Sequence, residues 1–150
     1  MIRAFLPTDM DAVLAIWLSA SIQAHDFVPA DFWRSQLDNM RTRYIPGTEV
    51  FVCEHNQAVA GRCALRGDWI AALFVAPKLQ RAGIGQALLA HAKGLRPTLS
   101  LSVYKANAAS VAFYQGQGFL ITEEGLDEET GQQEYSMRWA RGGLAGPQSQ

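Results

Sequence analysis

The sequence predicts an α/β (α+β) fold with a mostly antiparallel central sheet flanked by about four helices, and three observations lead to this prediction. The chain has 150 residues, 49% of them hydrophobic, which suits one domain with a sizeable core. Runs with the two-residue period of strands alternate with runs of helical period. Three strand-like runs follow one another between residues 50 and 75, which excludes a regularly repeating parallel βαβ sheet.

One short strand and two helices are predicted before residue 48. The strand lies around Ile2–Phe5. A capping signature predicts a first helix from Asp9 to about Ser21. A second helix begins near Pro29, and Pro46-Gly47 ends its apolar periodicity.

Three strands follow, and the first two form a hairpin. The runs Val50–Glu54 and Ala58–Leu65 are separated by Asn56-Gln57, which predicts a two-residue turn. The third run, Trp69–Val75, is apolar throughout and predicts a central strand buried on both faces.

The second half alternates helices and strands. The predicted elements are a helix over about Gly83–Gly94, a strand over Leu99–Val103, a helix over Asn107–Gln117 and strands around Phe119–Glu123 and Gln133–Trp139. We expect one domain over residues 1–140, followed by a flexible tail over 141–150 that is rich in glycine.

Charge and composition exclude several classes of protein. Thirteen Lys and Arg against fourteen Asp and Glu give a formal net charge of −1, which argues against a dedicated nucleic-acid binder. No secretory signal and no run long enough to span a bilayer is present, so a cytoplasmic protein without membrane association is expected. Cys53 and Cys63 lack metal-ligand spacing, so no metal is expected, and the hairpin places Cys53 opposite Ala60.

A glycine-containing turn before the third helix carries the clearest chemical signal. It reads Gln80-Arg81-Ala82-Gly83-Ile84-Gly85. Glycines at a strand-to-helix turn let backbone N–H groups approach a phosphate, and the helix N-terminus adds unpaired donors. The turn therefore predicts an anion site. It is not a dinucleotide fingerprint, because Leu88 stands where the third glycine is required, and it lacks the Gly-Lys-Ser/Thr of a nucleoside-triphosphate loop.

Two motifs stand in a fixed order along the chain. The first is Val75-Ala76-Pro77 followed by Gln80-x-x-Gly83-x-Gly85; the second is Asn107, a helix containing Phe113-Tyr114, and then Gly118-Phe119. Together they resemble the motifs of the GNAT superfamily of acyl-CoA-dependent N-acyltransferases, and the chain is similar to its small bacterial single-domain members, including peptidyl-lysine acetyltransferases. The resemblance implies six to seven strands splayed at a cofactor slot.

The resemblance also implies acetyl-CoA as co-substrate. Backbone amides of the glycine turn would hold its pyrophosphate, the end of the third strand would pair with pantetheine, and a bulge amide near Leu73 or Phe74 would stabilise the oxyanion. Tyr114 would protonate the departing thiolate, although a helix aromatic is also explained by packing. Asn107 would orient CoA or cap its helix. The implied cofactor-binding residues are Leu73, Phe74, Val75, Gln80, Arg81, Ala82, Gly83, Ile84, Gly85, Gln86, Asn107 and Tyr114.

The acceptor side departs from the family pattern. Several lysine acetyltransferases of the superfamily carry a glutamate six residues before the motif valine, where this chain has Trp69. Deprotonation of the amine then falls to water or to another side chain. We expect His25, Asp26 and Trp69 to contact the acceptor, because imidazole titrates near neutrality, a carboxylate attracts a cation and an indole covers an alkyl chain. Alternative bases are Asp68 and Glu54.

The predicted activity is acetyl transfer to a primary amine by direct attack in a ternary complex. A protein lysine is the favoured acceptor, and residues 123–129, which hold five of the fourteen acids, could attract lysine-rich peptides. The alternatives are a small amine such as a polyamine or an aminoglycoside, and a non-catalytic acyl-CoA-binding module. We expect a monomer or a homodimer.

Overall fold

The computed structural model describes residues 1–80 and 82–143, which divide into two compact units, Met1–Ala92 and a second that begins at Lys93. The strands within the described residues are β1 (Ile2–Ala4), β2 (Glu49–His55), β3 (Ala58–Arg66), β4 (Trp69–Val75), β5 (Thr98–Tyr104), β6 (Leu120–Asp127) and β7 (Gln132–Ala140). The helices are α1 (Met10–Ala24), α2 (Ala30–Ser35), α3 (Leu37–Asn39), α4 (Ile84–Leu95) and α5 (Ala108–Gly116). Every element predicted from the sequence is therefore present, most of them within two residues of the predicted ends.

Antiparallel pairing joins the four strands of the first unit in the order β1, β2, β3, β4. Asn56 and Gln57 form the predicted two-residue turn with φ of 53° and 66°, the left-handed values that such a hairpin requires. A bulge between Cys53 and Glu54 places Cys53 opposite Gly61, not opposite Ala60 as predicted. The prediction was wrong by one residue because a bulge adds one residue to a strand without changing its hydrophobic pattern.

The second predicted helix is divided. It consists of α2, α3 and a π-helical turn over Met40–Tyr44, in which the Ile45 amide donates to the Met40 carbonyl at 3.0 Å. The apolar residues nevertheless keep their expected side, since Trp33, Met40 and Ile45 are all buried. The interruption changes the turn geometry without moving the buried face.

The burial predicted for β4 is wrong. We expected both faces to be covered, but Trp69 is 37% exposed and residues 72–75 are half-buried, while Ile70 is buried. Within the first unit β4 is the end strand and pairs with β3. The apolar residues of β4 are therefore not fully covered by the first unit.

The second unit is a three-stranded antiparallel sheet with α5. Strand β7 pairs with β5 on one side and with β6 on the other. The side chains of β5 and β7 form an apolar face that includes Leu99, Leu101 and Met137, all buried, and a polar face that includes Ser102 and Ser136. The hairpin β6–β7 is longer than predicted, so the acidic residues near position 123 belong to a strand.

The α/β class and the mostly antiparallel pairing are thus confirmed, while the single domain over 1–140 and the splayed slot stay predictions. Residues 144–150 of the predicted tail lie outside the described residues. In the part of the chain that the structure describes, no helix has the length and apolar character to cross a membrane.

Candidate active site

The turn that leaves β4 is held by backbone and side-chain hydrogen bonds. The Ala76 amide donates to the Ala60 carbonyl at 2.8 Å, and Pro77–Leu79 forms a 3₁₀ turn. The Gln80 side-chain amide reaches back and donates through Nε2 to the Val75 carbonyl at 3.3 Å. Gln80 and Val75, both predicted site residues, are therefore brought together, with Gln80 closing the turn.

Gly83 gives the start of α4 an open N-terminus. Its φ of +82° is a conformation that other residues rarely adopt, and a Cβ built there would meet no atom within 4 Å. The first hydrogen bond of the helix is from the Ala87 amide to the Gly83 carbonyl at 3.0 Å. The amides of residues 84–86 consequently have no acceptor within the helix, as in any first helical turn, and they can bind an anion. Arg81 lies outside the described residues.

A second glycine, Gly61 on β3, sets the distance between α4 and the sheet of the first unit. A Cβ at this position would lie 2.8 Å from the Phe74 carbonyl oxygen and 3.2 Å from side-chain atoms of both Ile84 and Leu88. No side chain fits in that space. Because position 61 has no side chain, the first turn of α4 packs directly against β3 and β4. This packing positions the glycine turn.

Residues 72–75 of β4 pair regularly with β3, with Leu73 opposite Cys63 and Phe74 opposite Arg62. The irregularity in this pairing falls between Ala64 and Leu65, so the extra residue on β4 is Ala71. The bulge that faces β3 therefore precedes Leu73 by two residues. The oxyanion-binding amide near Leu73 or Phe74 stays a prediction.

Asn107 and Tyr114 belong to the second unit. The Asn107 side chain caps α5, with its Oδ1 accepting from the Ser110 amide at 3.2 Å, so one of its two predicted roles is observed. Tyr114 is 9% exposed, and its ring centroid lies 5.2 Å from that of Phe113 and 5.5 Å from that of Phe119. Both aromatic neighbours meet it edge-on and hold its ring in place.

The predicted acceptor residue His25 does not behave as a solvated loop histidine. Its ring centroid is 5.2 Å from that of Trp33 and 5.7 Å from that of Phe27, and burial lowers its pKa to about 4. The imidazole is thus neutral at neutral pH. The sequence-based expectation of titration near neutrality was wrong because helix packing around His25 could not be read from the loop sequence.

The remaining acceptor candidates differ in their availability. Asp26 and Trp69 are exposed, as contact with an acceptor requires. Asp68 is exposed as well. Glu54 forms an ion pair with Arg3, whose Nε lies 3.0 Å from the Glu54 carboxylate, and its role as an alternative base stays a prediction. Among the described residues, no three His, Cys, Asp or Glu side chains are grouped as a metal site requires.

Arg62, which neither motif indicates, lies in the middle of β3. Its side chain is 1% exposed, and its Cζ lies 5.7 Å from the ring centroid of Phe74. The signal was available, since Arg62 is the one charged residue inside the run Ala58–Leu65.

Comparison with known proteins gives one family and a consistent set of relatives. Residues 46–121 match the family described as acetyltransferase (GNAT) domain. The chain is 34% identical over 140 residues to the peptidyl-lysine N-acetyltransferase YiaC of Escherichia coli K12, which covers 93% of this chain and 96% of YiaC.

Two solved structures share the fold. Apo YjaB from Escherichia coli aligns with a TM-score of 0.82 and 26% identity over 96% of this chain and 98% of YjaB. The PaiA N-acetyltransferase of Thermoplasma acidophilum, solved in complex with coenzyme A, aligns with a TM-score of 0.79 over 93% of this chain and 98% of PaiA. Its identity is 12%, so this second likeness is one of fold.

Proposed function

The chain belongs to the GNAT family of N-acetyltransferases, and we propose that it transfers the acetyl group of acetyl-CoA directly to a protein lysine in a ternary complex. Membership confirms the family that the two sequence motifs indicated. The choice of lysine is supported by the relative YiaC, which is named a peptidyl-lysine N-acetyltransferase. We further propose that the enzyme acts in the cytoplasm as one domain, alone or as a homodimer, without a metal.

The geometry at the start of α4 carries the proposal. Gly83 leaves the first-turn amides uncovered, and Gly61 lets α4 pack tightly enough to hold them in place. The residues present therefore fit a diphosphate. Gln80 and the amides of residues 82–86 would hold the phosphate end, and the half-buried segment Leu73–Val75 would accompany the pantetheine arm.

Acetyl-CoA supplies an activated thioester when bound. The chain supplies proton transfer and orientation. We assign Tyr114 as the acid whose hydroxyl protonates the departing thiolate, a role that its packing between Phe113 and Phe119 supports by limiting ring motion. With Glu54 engaged by Arg3 and His25 packed among aromatic rings, the acceptor ammonium would lose its proton to water, and Asp26 would attract it electrostatically.

Binding of the donor is the first test. Calorimetric titration with acetyl-CoA, free CoA and NADH should give affinities on the order of micromolar for the two CoA ligands and none for NADH. Gly83→Val, which strains the turn and covers the amides, should weaken CoA binding, while Gly94→Val, at an open position in the same helix, serves as the matched control. Absence of CoA binding at about millimolar ligand would refute the proposed function.

Turnover tests the role of Tyr114. Tyr114→Phe should lower kcat about 100-fold or more while leaving the Kd for acetyl-CoA largely unchanged, because only the acidic hydroxyl is lost. Tyr44→Phe, at an exposed tyrosine of the π turn, should have wild-type kcat. Thiol release would be followed with lysine peptides and with a polyamine. Full activity of Tyr114→Phe across the pH range would remove the assigned acid, and preference for the polyamine would change the acceptor class.

A further inference from the structure

Arg62 is a buried charge, and two of its three nitrogens have no hydrogen-bond partner among the described residues. It is 1% exposed, and within the described residues neither Nε nor Nη2 has an acceptor. Burial lowers its pKa to about 10, so the guanidinium is still protonated at neutral pH. An unpaired charge of this kind destabilises a folded protein, and a hydrophobic residue of the same size would not. A ligand that supplied an acceptor would offset this cost.

The direction of the side chain follows from its strand. Successive residues of a strand point to opposite faces, and Gly61 faces Ile84 and Leu88 of α4. Arg62 thus points away from α4, to the opposite face of the sheet.

The neighbour of Arg62 across the sheet connects it to the proposed site. Phe74 is its partner on β4, and the guanidinium carbon lies 5.7 Å from the centre of that ring. Phe74 belongs to the segment that we propose to follow the pantetheine arm, close to the reacting thioester. A cation–π contact satisfies none of the guanidinium N–H donors, and Nε and Nη2 have no acceptor among the described residues.

We propose that Arg62 binds a carboxylate carried by one of the two substrates. This inference rests on the proposed function and deepens it by naming the substrate chemistry. The planar fork of a guanidinium pairs with both oxygens of a carboxylate, and such a pair removes the cost of the buried charge. The phosphates of CoA are expected at the start of α4, on the opposite face, so they are not the anion in question. The carboxylate belongs to the acyl group, as in a succinyl donor, or to the acceptor, as in a lysine beside an acidic residue.

Two matched substrate pairs distinguish these sources. The first compares succinyl-CoA with butyryl-CoA, and the second compares lysine peptides that differ by Glu or Gln next to the lysine. Wild type should prefer the carboxylate member of one pair by about 10- to 100-fold in kcat/KM. Arg62→Met should lose that preference and retain the affinity for free CoA, and Arg62→Lys should keep part of it. Equal use of both members in both pairs, or a preference that survives in Arg62→Met, would overturn the inference.

A binding measurement tests the inference without turnover. Free succinate should raise the Tm of wild type but not of Arg62→Met, with succinamide as the neutral control, and Arg62→Met alone should melt above wild type. Succinate stabilisation that is equal in the two proteins would contradict the assignment. Failure of the wild type to bind CoA would refute the proposed function and this inference together, whereas CoA binding without any carboxylate preference would refute this inference alone.

Discussion

Two arginines on the sheet of the first unit differ in whether the surrounding residues compensate their positive charge. Arg3 on β1 donates to both carboxylate oxygens of Asp9 at 2.8 and 3.0 Å, and its Nε lies 3.0 Å from Glu54. These hydrogen bonds raise the pKa of Arg3 and lower that of Asp9. Arg62, on β3, is more deeply buried, and no described residue pairs it with a carboxylate. Burial moves its pKa down to about 10.

The difference separates a structural cation from one that is available for binding. Arg3 closes the N-terminal edge, because the same Asp9 carboxylate also accepts from the Leu6 amide at 2.8 Å. Every charged group there has a partner, as expected where the charge serves the fold. Arg62 destabilises the folded state, and its cation–π contact with Phe74 offsets only a small part of this cost. Arg3 lies beside carboxylates of its own chain, whereas no described residue places one beside Arg62. This difference agrees with a substrate carboxylate as the partner of Arg62.

Removal of the partner of Arg3 should give the largest change in stability. Asp9→Ala deletes an acceptor of three hydrogen bonds and leaves the Arg3 guanidinium less compensated, so the Tm should fall by about 4–8 °C. Asp11→Ala is the matched control, because Asp11 is an exposed partner of Arg41 and its loss should change the Tm by about 1 °C at most. Similar Tm values for the two variants would contradict the conclusion that the Arg3–Asp9 pair stabilises the fold.

His25 provides a third basic group and a pH test of intermediate size. Its folded pKa of about 4 lies below the usual 6.5, so between these values the unfolded chain binds more protons than the folded one. Stability should therefore be full above pH 6.5 and decrease as the pH falls towards 4, by about 1–2 kcal/mol after allowance for partial exposure. Denaturant titrations of wild type and His25→Gln over this range should show the slope in wild type alone. A slope unchanged in His25→Gln would assign the effect to other groups.

The contact of Arg62 with Phe74 should give the smallest effect. A double-mutant cycle with Arg62→Met and Phe74→Leu should return a coupling of about 0.5–1 kcal/mol, since a cation–π pair stabilises only modestly. The measurement is the free energy of unfolding in denaturant for the four proteins. A coupling comparable to that of the Arg3–Asp9 pair would mean that Phe74 alone compensates the charge, and the contrast between the two arginines would disappear.

The sequence predicted local structure more reliably than the surroundings of single side chains. The Asn56-Gln57 turn and the start of α4 follow from turn chemistry and apolar periodicity, which act over a few residues. The bulge at Cys53 and the aromatic neighbours of His25 depend on contacts between elements, which a single sequence does not encode in a readable pattern.

The candidate site shows the same division. The motif predicted the position of Gln80 and Gly83, and their geometry is suited to phosphate binding. It did not predict that Glu54 is paired with Arg3, because the two residues are 51 positions apart. The motifs did not indicate Arg62, because arginine is rarely fully buried and its burial here is decided by tertiary packing.

Gly61 has a consequence for protein engineering and for evolution. Because a side chain at this position would strike the backbone oxygen of Phe74 and not a flexible neighbour, no rotamer adjustment can accommodate it. Libraries that diversify the donor site should keep position 61 constant and vary Ala76–Leu79 instead. During evolution, a larger residue at position 61 would require the whole of α4 to move away from β3. The distance between β3 and α4 should therefore be kept while the surrounding side chains change.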